Sequence, residues 1–452
     1  MGKAVDISQH FTMAALLRYC APSIVVMIFT SAYVIADSLF ISNCVGKVAY
    51  AAVNIIFPFI QILGAVGLVF GTGGAALVSI TRGRGSGELA NRQFSLFIYA
   101  AIVVAALLGA LGFACMPQVA RLLGADESML DMCISYGRIL IVILPGFVLQ
   151  YAFESYFPAS GKPNLGIVFS VLGGVVNIAL DALFIIGFGW GLTGAALATD
   201  LGVVCAGFGP IVYFARPNAS MLRLGRTSFD AKTLKKACIN GSSEMVSNIA
   251  FSIVAMVYNI QLMRLIGSDG VAAYGVLLEL SMIFSGVFMG FAIGSTPLMS
   301  YQFGARNTQE MRSIFKKGLL VIAVSGVAMF LLSTVFARPL AWLYVSYDAA
   351  LLDLTTYALR IYSLSFLIMG FNICCSSLFT SLGNGHVSAL LSVLRTFVFE
   401  IGSVLVLPLF FGADGIWVSV LVAEVATLCF SVGFVRALGP GYGLVRGRGD
   451  ER

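Results

Sequence analysis

Three observations predict an all-α polytopic membrane protein whose twelve transmembrane helices form two pseudo-symmetric six-helix bundles. The 452 residues are 59% hydrophobic and only 11% charged, with a mean hydropathy of +0.96. A soluble chain of this length needs more polar surface than that. Its long apolar runs read as helices, because a barrel would show alternating segments of roughly ten residues. A single long polar segment, Phe214–Lys236, divides the chain near its middle, with six basic residues (Arg216, Arg223, Arg226, Lys232, Lys235, Lys236) against one acid, Asp230. Finally, the two flanks repeat each other at a nearly constant offset.

The predicted spans are 13–41, 48–80, 94–117, 134–158, 164–189 and 192–214, then 238–265, 270–301, 317–340, 355–380, 386–411 and 415–437. Each is long enough to cross about 30 Å of hydrocarbon as a helix. The chain therefore divides into an N-terminal lobe (1–213), a basic linker (214–237), a C-terminal lobe (238–437) and a tail (438–452). Pro22, Pro58, Pro145, Pro297 and Pro408 lie inside spans, where a missing N–H permits a bend. The first apolar segment is too long for a cleaved signal peptide.

Basic residues set the topology. The loop 81–93, Lys162, the linker, the loop 302–317 and the tail, with Lys3, Arg18 and Arg436, hold 20 of the 27 Lys and Arg. The opposite loops carry Lys47, Arg121 and Arg338 together with acids such as Asp126, Glu127, Asp131 and Asp348. The positive-inside rule then places both termini in the cytoplasm, which an even number of spans requires.

The repeat is read from spacing. A shift of 221 residues pairs Gly46 with Gly267, Gly73 with Gly294, Leu77 with Leu298, Ser79 with Ser300 and Gly83 with Gly304. A shift of 222 pairs Gly161 with Gly383 and Ser170–Leu172 with Ser392–Leu394. With six spans each, both halves start on the same side, so the repeats are parallel and related by an axis along the membrane normal. Two such bundles around a cavity can rock against each other.

Several chemistries are excluded. The net charge of +6 belongs to loops beside an anionic leaflet and implies no nucleic acid. The nine cysteines are odd in number, lie mostly within apolar runs and contain no CxxC. His10 and His386 stand in no metal-ligand spacing. The glycines of 64–74 and 286–294 sit in apolar runs without a following GKS or GKT. They serve helix packing rather than phosphate binding.

The informative residues are acids where hydrocarbon is expected. Asp37, Asp181, Asp200, Glu244, Glu279, Glu400 and Glu424 lie within spans, and Glu154 lies near a span end. Each must face the protein interior or a wet cavity. Asp37 and Asp181 fall at similar depth in the outer half of the first lobe, and Asn177 precedes Asp181 by one helical turn on the same face. Carboxylates sharing a poorly solvated pocket take up protons more readily than exposed ones, and neutralising them can release an organic cation or Na+. Glu244, Glu279 and Glu400 are the candidate second-lobe cation or substrate acids. Each acid has a plainer alternative, an interhelical hydrogen bond; for Arg395 and Glu400, that alternative is pairing with neighbouring helices.

The runs VIADSLFISNCVG, AAVNIIFPF and GTGGAALVS, with GKPNLGIVFSVLGGVVNIALDALFIIGFGWGLTGAALAT, resemble the first lobe of multidrug and toxic compound extrusion (MATE) transporters. The runs NGSSEMVSNIAFSIVAMVYNIQLMRLIGSDGVAAYGV and GSTPLMSYQFGARN resemble the second. The similarity covers nearly the whole chain and is nearest the small bacterial multidrug exporters. It implies a V-shaped pair of bundles in the bacterial cytoplasmic membrane, acting as a monomer, that exports organic cations in exchange for H+ or Na+ without a cofactor. It also implies a first-lobe cation site at Asp37, Asn177 and Asp181, and a bending proline at Pro22. Glu244 matches the family's helix 7 acid only loosely. The helix 10 aspartate of the sodium-coupled branch is absent, with Phe371, Asn372 and Ile373 in that region, which tilts the expectation toward protons. The alternatives are a lipid-linked saccharide flippase of the same superfamily, which needs cationic cavity residues, and a membrane-embedded enzyme, which two ill-placed histidines disfavour.

Overall fold

The structure, a computed structural model, describes residues 4–127 and 129–444, leaving aside the side chains of Ile35, Leu39 and Lys47. Lys3, Arg446, Arg448 and Arg452 lie outside the described residues, as does the side chain of Lys47. Among the described residues, eleven helices are long and apolar enough to cross a membrane, and one bent pair, α4, makes a twelfth candidate: α1 (Met13–Val45), α2 (Val48–Gly83), α3 (Gly87–Leu122), α4 (Leu130–Val142 and Leu144–Ala159), α5 (Asn164–Gly187) and α6 (Gly191–Ala215), then α7 (Ala231–Leu265), α8 (Ser268–Gly304), α9 (Thr308–Val335), α10 (Ala349–Ser381), α11 (Gly385–Phe411) and α12 (Ala413–Leu438). The described residues contain no strand.

The observed boundaries differ from the sequence expectation in three informative places. α4 is bent by 56° between its two halves, where Pro145 opens the second half without an N–H to give. α7 begins at Ala231 rather than at 238, because Asp230 caps it by accepting from the backbone N–H groups of Lys232 and Thr233. The non-helical part of the linker is thereby confined to 216–230. α9 stops at Val335, and Ala337–Val345 forms a separate short helix, so the apolar run extended to 340 contains a corner at Phe336.

The internal duplication is visible in the backbone itself. Left-handed residues recur at the same offset: Gly46 (φ 117°) with Gly267 (φ 91°), Gly161 with Gly383 (both φ 73°), and Gly191 (φ 54°) with Gly412 (φ 57°). The partner of Gly85 (φ 85°) is Arg306 (φ 57°), the one described non-glycine residue with positive φ. An arginine there bears a steric cost that glycine avoids. The repeat has kept the turn while losing the residue that suits it.

The lobes meet along two equivalent seams. α1 packs on α8, where a Cβ at Gly290 would lie 2.5 Å from the Cα of Ile24 and one at Gly294 would lie 3.0 Å from that of Cys20. Its counterpart α7 packs on α2, where a Cβ at Gly73 would lie 2.2 Å from the Ala237 carbonyl oxygen and one at Gly241 would lie 2.2 Å from that of Val69. At the end carrying the basic loops, α2 and α8 also cross each other. A Cβ at Gly83 or Gly304 would come within 2.1 Å of the Tyr301 or Ile80 carbonyl oxygen. Bare glycine backbones thus close the basic end.

A strap of residues 5–12 reinforces that closure. The N–H of Val5 donates to the Gly161 carbonyl oxygen of the first lobe, while the Gln302 amide of the second donates to Ile7. Glu310, buried in α9, accepts from the Phe11 N–H at 2.9 Å and meets His10 Nδ1 at 2.5 Å, and Lys317 donates to the Phe11 carbonyl. Ile7, Phe11, Leu16, Tyr19 and Cys20 consequently belong to the hydrophobic core of the second lobe, whereas the far end of α1 serves the first.

Candidate cation site

α1 is therefore shared, and its change of allegiance positions Asp37. Beyond Ile24 it turns to α5, where Gly166 faces Val26 and Gly174 faces Phe29 and Tyr33. Glycine at these positions lets the two helices approach closely enough for side chains one or two turns further on to meet. Asp37 on α1 and Asp181 on α5 follow, with carboxyl groups near enough to interact electrostatically. Both helices then widen into π-type turns, Ile41–Val45 and Ala182–Gly187, a distortion that commonly accompanies functional positions.

Asp181 is 0% exposed and Asn177 2%. Neither carboxylate oxygen of Asp181, nor Oδ1 of Asp37, nor Oδ1 of Asn177 has a hydrogen-bond donor from the protein. A buried carboxylate and a half-buried one offer acceptors alone, so a proton or a cation is what satisfies their donorless oxygens. The donor set is oxygen throughout, which suits H+ or a hard ion such as Na+. Asp37 thus lies near Asp181, with Asn177 one turn earlier on α5.

Three further residues complete the surroundings. Asn177 donates to Thr199 on α6 across 3.4 Å, and Gly202 lets α6 come this close, since its Cβ would stand 3.0 Å from that of Asn177. Tyr136 on α4 is 1% exposed and faces Asp37, Asp181, Asp200 and Tyr33 together. The same tyrosine lines a cavity of about 470 Å³ that opens at the acidic end, with Val45, Asp131, Ser135 and Thr193. Sequence reading missed Tyr136 and Thr199. A phenol among 51 Phe and Tyr residues carries no signal of its own, whereas a Thr–Asp pair inside an apolar run could have been noticed.

The second-lobe acids divide. Glu424 on α12 accepts Arg395 Nε at 2.9 Å and Nη2 at 2.6 Å on one oxygen, and Asn372 Nδ2 at 2.7 Å on the other. Glu400 and Glu244 face the same guanidinium. Glu279 does not join them and lies beside Tyr344 of the short helix Ala337–Val345. Pro22 is buried in an unbroken stretch of α1, at the point where that helix passes from one lobe's core to the other's.

Comparison with known proteins agrees with this architecture. The MatE family model matches residues 22–183 and again 245–405, once in each half. Multidrug export protein MepA of Staphylococcus saprophyticus is 24% identical over 417 residues, covering 92% of this chain and 91% of the relative. The protein of the same description from Staphylococcus haemolyticus is 25% identical over 422 residues, with the same coverage. Among solved structures, a MATE in complex with MaL6 superposes with a TM-score of 0.92 at 20% identity, covering 98% of this chain and all of the other. The outward-facing conformation of a multidrug resistance MATE family transporter gives 0.88 at 21% identity, covering 95% and 96%.

Proposed function

Because the chain belongs to the MatE family, a family of multi-pass membrane transporters rather than enzymes, we propose that it exports lipophilic organic cations from the cytoplasm in exchange for protons. The observation that supports this reading is the Asp37–Asp181 pair with Asn177 beside it: both carboxylate oxygens of the buried Asp181, and Oδ1 of Asp37 and of Asn177, lack a donor. A cationic substrate in the cavity between the lobes is held while the carboxylates are charged and released when they take up a cation. One proton moving inward down 100 mV supplies about 2.3 kcal/mol, enough to sustain a substantial drug gradient under tight coupling.

The basic end, closed by the glycine crossing of α2 and α8, is the cytoplasmic end on this reading, with both termini inside a bacterial inner membrane. One chain holds both lobes, so the monomer is the working unit. Pro22 is the hinge in α1, since its missing N–H leaves the Arg18 carbonyl without its helical partner where the two cores join. Sodium coupling is favoured by one observation: the unpartnered amide oxygen of Asn177 can ligate a metal ion but not bind a proton in this pH range. The flippase reading is weakened at Arg395, whose charge is already met by Glu424.

The test uses everted membrane vesicles and a fluorescent lipophilic cation such as ethidium, under an imposed pH gradient and then a sodium gradient. Accumulation driven by one gradient and collapsed by its dissipation supports the reading and names the ion. No movement of any cation under either gradient would overturn it.

A further inference from the structure

The repeat that relates the two lobes sets the ion pair of α11 and α12 at the level of the close contact between α5 and α6. In the first lobe, a Cβ at Gly173 would stand 2.8 Å from the Gly202 carbonyl oxygen, and a Cβ at Gly202 would stand 2.8 Å from that of Gly173. Adding 222 to Gly173 gives Arg395, and the offset of 221 that pairs Gly191 with Gly412 carries Gly202 to Ala423, the residue before Glu424. Where one lobe joins its helices backbone to backbone, the other inserts a guanidinium and a carboxylate. The position equivalent to Asp37, at the offset of 221, is Tyr258, which is 1% exposed and faces Glu400, Tyr274 and Tyr362.

The second lobe therefore has a carboxylate pocket of its own, but one furnished with a cation. Arg395 is surrounded by Glu424, Glu400, Glu244 and the phenol of Tyr362. Glu424 is fully engaged, and its partner Asn372 accepts in turn from Ser431 at 2.9 Å. Every oxygen of the Glu424 carboxylate has a donor, in contrast to Asp181, which has none.

We propose that this pocket is a guanidinium-binding site occupied by the chain's own Arg395, a tethered resident cation, so that exchangeable cations bind in the first lobe alone. The inference rests on the antiport reading only for its second half. The occupancy itself is a property of the folded protein. It has a physical rationale: a pair of carboxylates in each lobe would bind two exchangeable cations, whereas a tethered one holds the second lobe's helices together at all stages of the cycle. The geometry suits a planar fork, because two N–H groups of Arg395 converge on one carboxylate oxygen.

Chemical rescue tests the occupancy. Arg395→Ala in purified, detergent-solubilised protein is expected to melt at a lower temperature, and millimolar guanidinium chloride should restore most of the loss. Sodium chloride at equal concentration should not. The Arg395 side chain is 20% exposed, so a small cation has a way in. The rescue should vanish in Arg395→Ala/Glu424→Gln. An equal response to guanidinium in wild type, single and double variants would overturn the proposal. If Arg395→Ala does not fold, a second measurement keeps Arg395: proton release and ²²Na+ displacement on dye binding are followed in Asp37→Asn/Asp181→Asn. Both are expected to fall to background, and residual exchange that persists when Glu154→Gln and Asp200→Asn, the other first-lobe acids with a donorless buried oxygen, are added would show that the second lobe also exchanges a cation, which overturns the proposal. Absence of exchange in the wild type would instead sink the antiport reading and leave the rescue result standing.

Discussion

Replacing Gly304 by alanine perturbs the closed basic end with a single methyl group. The added Cβ would lie 2.1 Å from the Ile80 carbonyl oxygen, where ordinary contact begins near 3.4 Å. The obstacle is backbone, so it cannot rotate aside, and α2 and α8 must part by about 1.3 Å. Overpacking of this kind costs about 1–3 kcal/mol, charged only to the conformation in which the two helices cross. That is roughly a 5- to 150-fold shift of the equilibrium away from the closed basic end. Electron–electron distance measurement reads it directly. Spin labels at Ser86→Cys and Ala305→Cys, both exposed at the ends of these helices, would be placed in a chain with its nine native cysteines replaced. The variant should gain a longer-distance population and lose dye export. Gly275→Ala on the same helix is the control, since nothing lies within 4 Å of its added Cβ. An unchanged distance distribution in Gly304→Ala, with export intact, would refute the reasoning that this glycine contact sets the closed state.

Other outcomes follow from the same geometry. Glu424→Gln removes the carboxylate directly bonded to the Arg395 guanidinium and should destabilise the protein by about 3–5 kcal/mol, visible as a lower melting temperature; Arg395→Met with Glu424→Gln should recover much of it. Glu310→Ala removes the anchor of the Phe11 N–H and His10, a loss of about 1.5–3 kcal/mol. It should expose the strap to proteolysis, and a cleavage rate equal to wild type would contradict the strap. At Asp230, the hydroxyl of Thr233 and the neighbouring backbone N–H groups hold the carboxyl below its ordinary range. Its capping contribution is therefore present at neutral pH and lost only as pH falls through that lowered value. Amide exchange at Lys232 and Thr233 should accelerate there, and acceleration already at pH 6 would contradict the assignment.

Much of the fold was legible because membrane constraints write it in composition. Apolar length gave the spans, and a constant offset gave the duplication, which the backbone repeats at Gly46 and Gly267. The nearness of Asp37 to Asp181 was legible because a carboxylate in hydrocarbon needs a reason. Other features were not, for equally physical reasons. Arg395 and Glu424 were each conspicuous, yet nothing local couples residues 29 apart on different helices. Membership of the α1 start in the second lobe's core depends on the strap contacts of Glu310 and Gln302, which no periodicity records. The helical start of α7 was hidden because its first turns are basic, and hydropathy cannot tell a solvated helix from a loop. Tyr136 was invisible among aromatics until three helices were folded around it.

The central claim is that the unpartnered carboxylates of the first lobe couple ion to drug. The most direct measurement is dye transport into everted vesicles by wild type, Asp37→Asn and Asp181→Asn, at matched protein levels and under the gradient that drives the wild type. The account predicts that both variants bind into the membrane normally and lose gradient-driven transport. Normal transport by both would contradict it and return these two acids to a purely structural role.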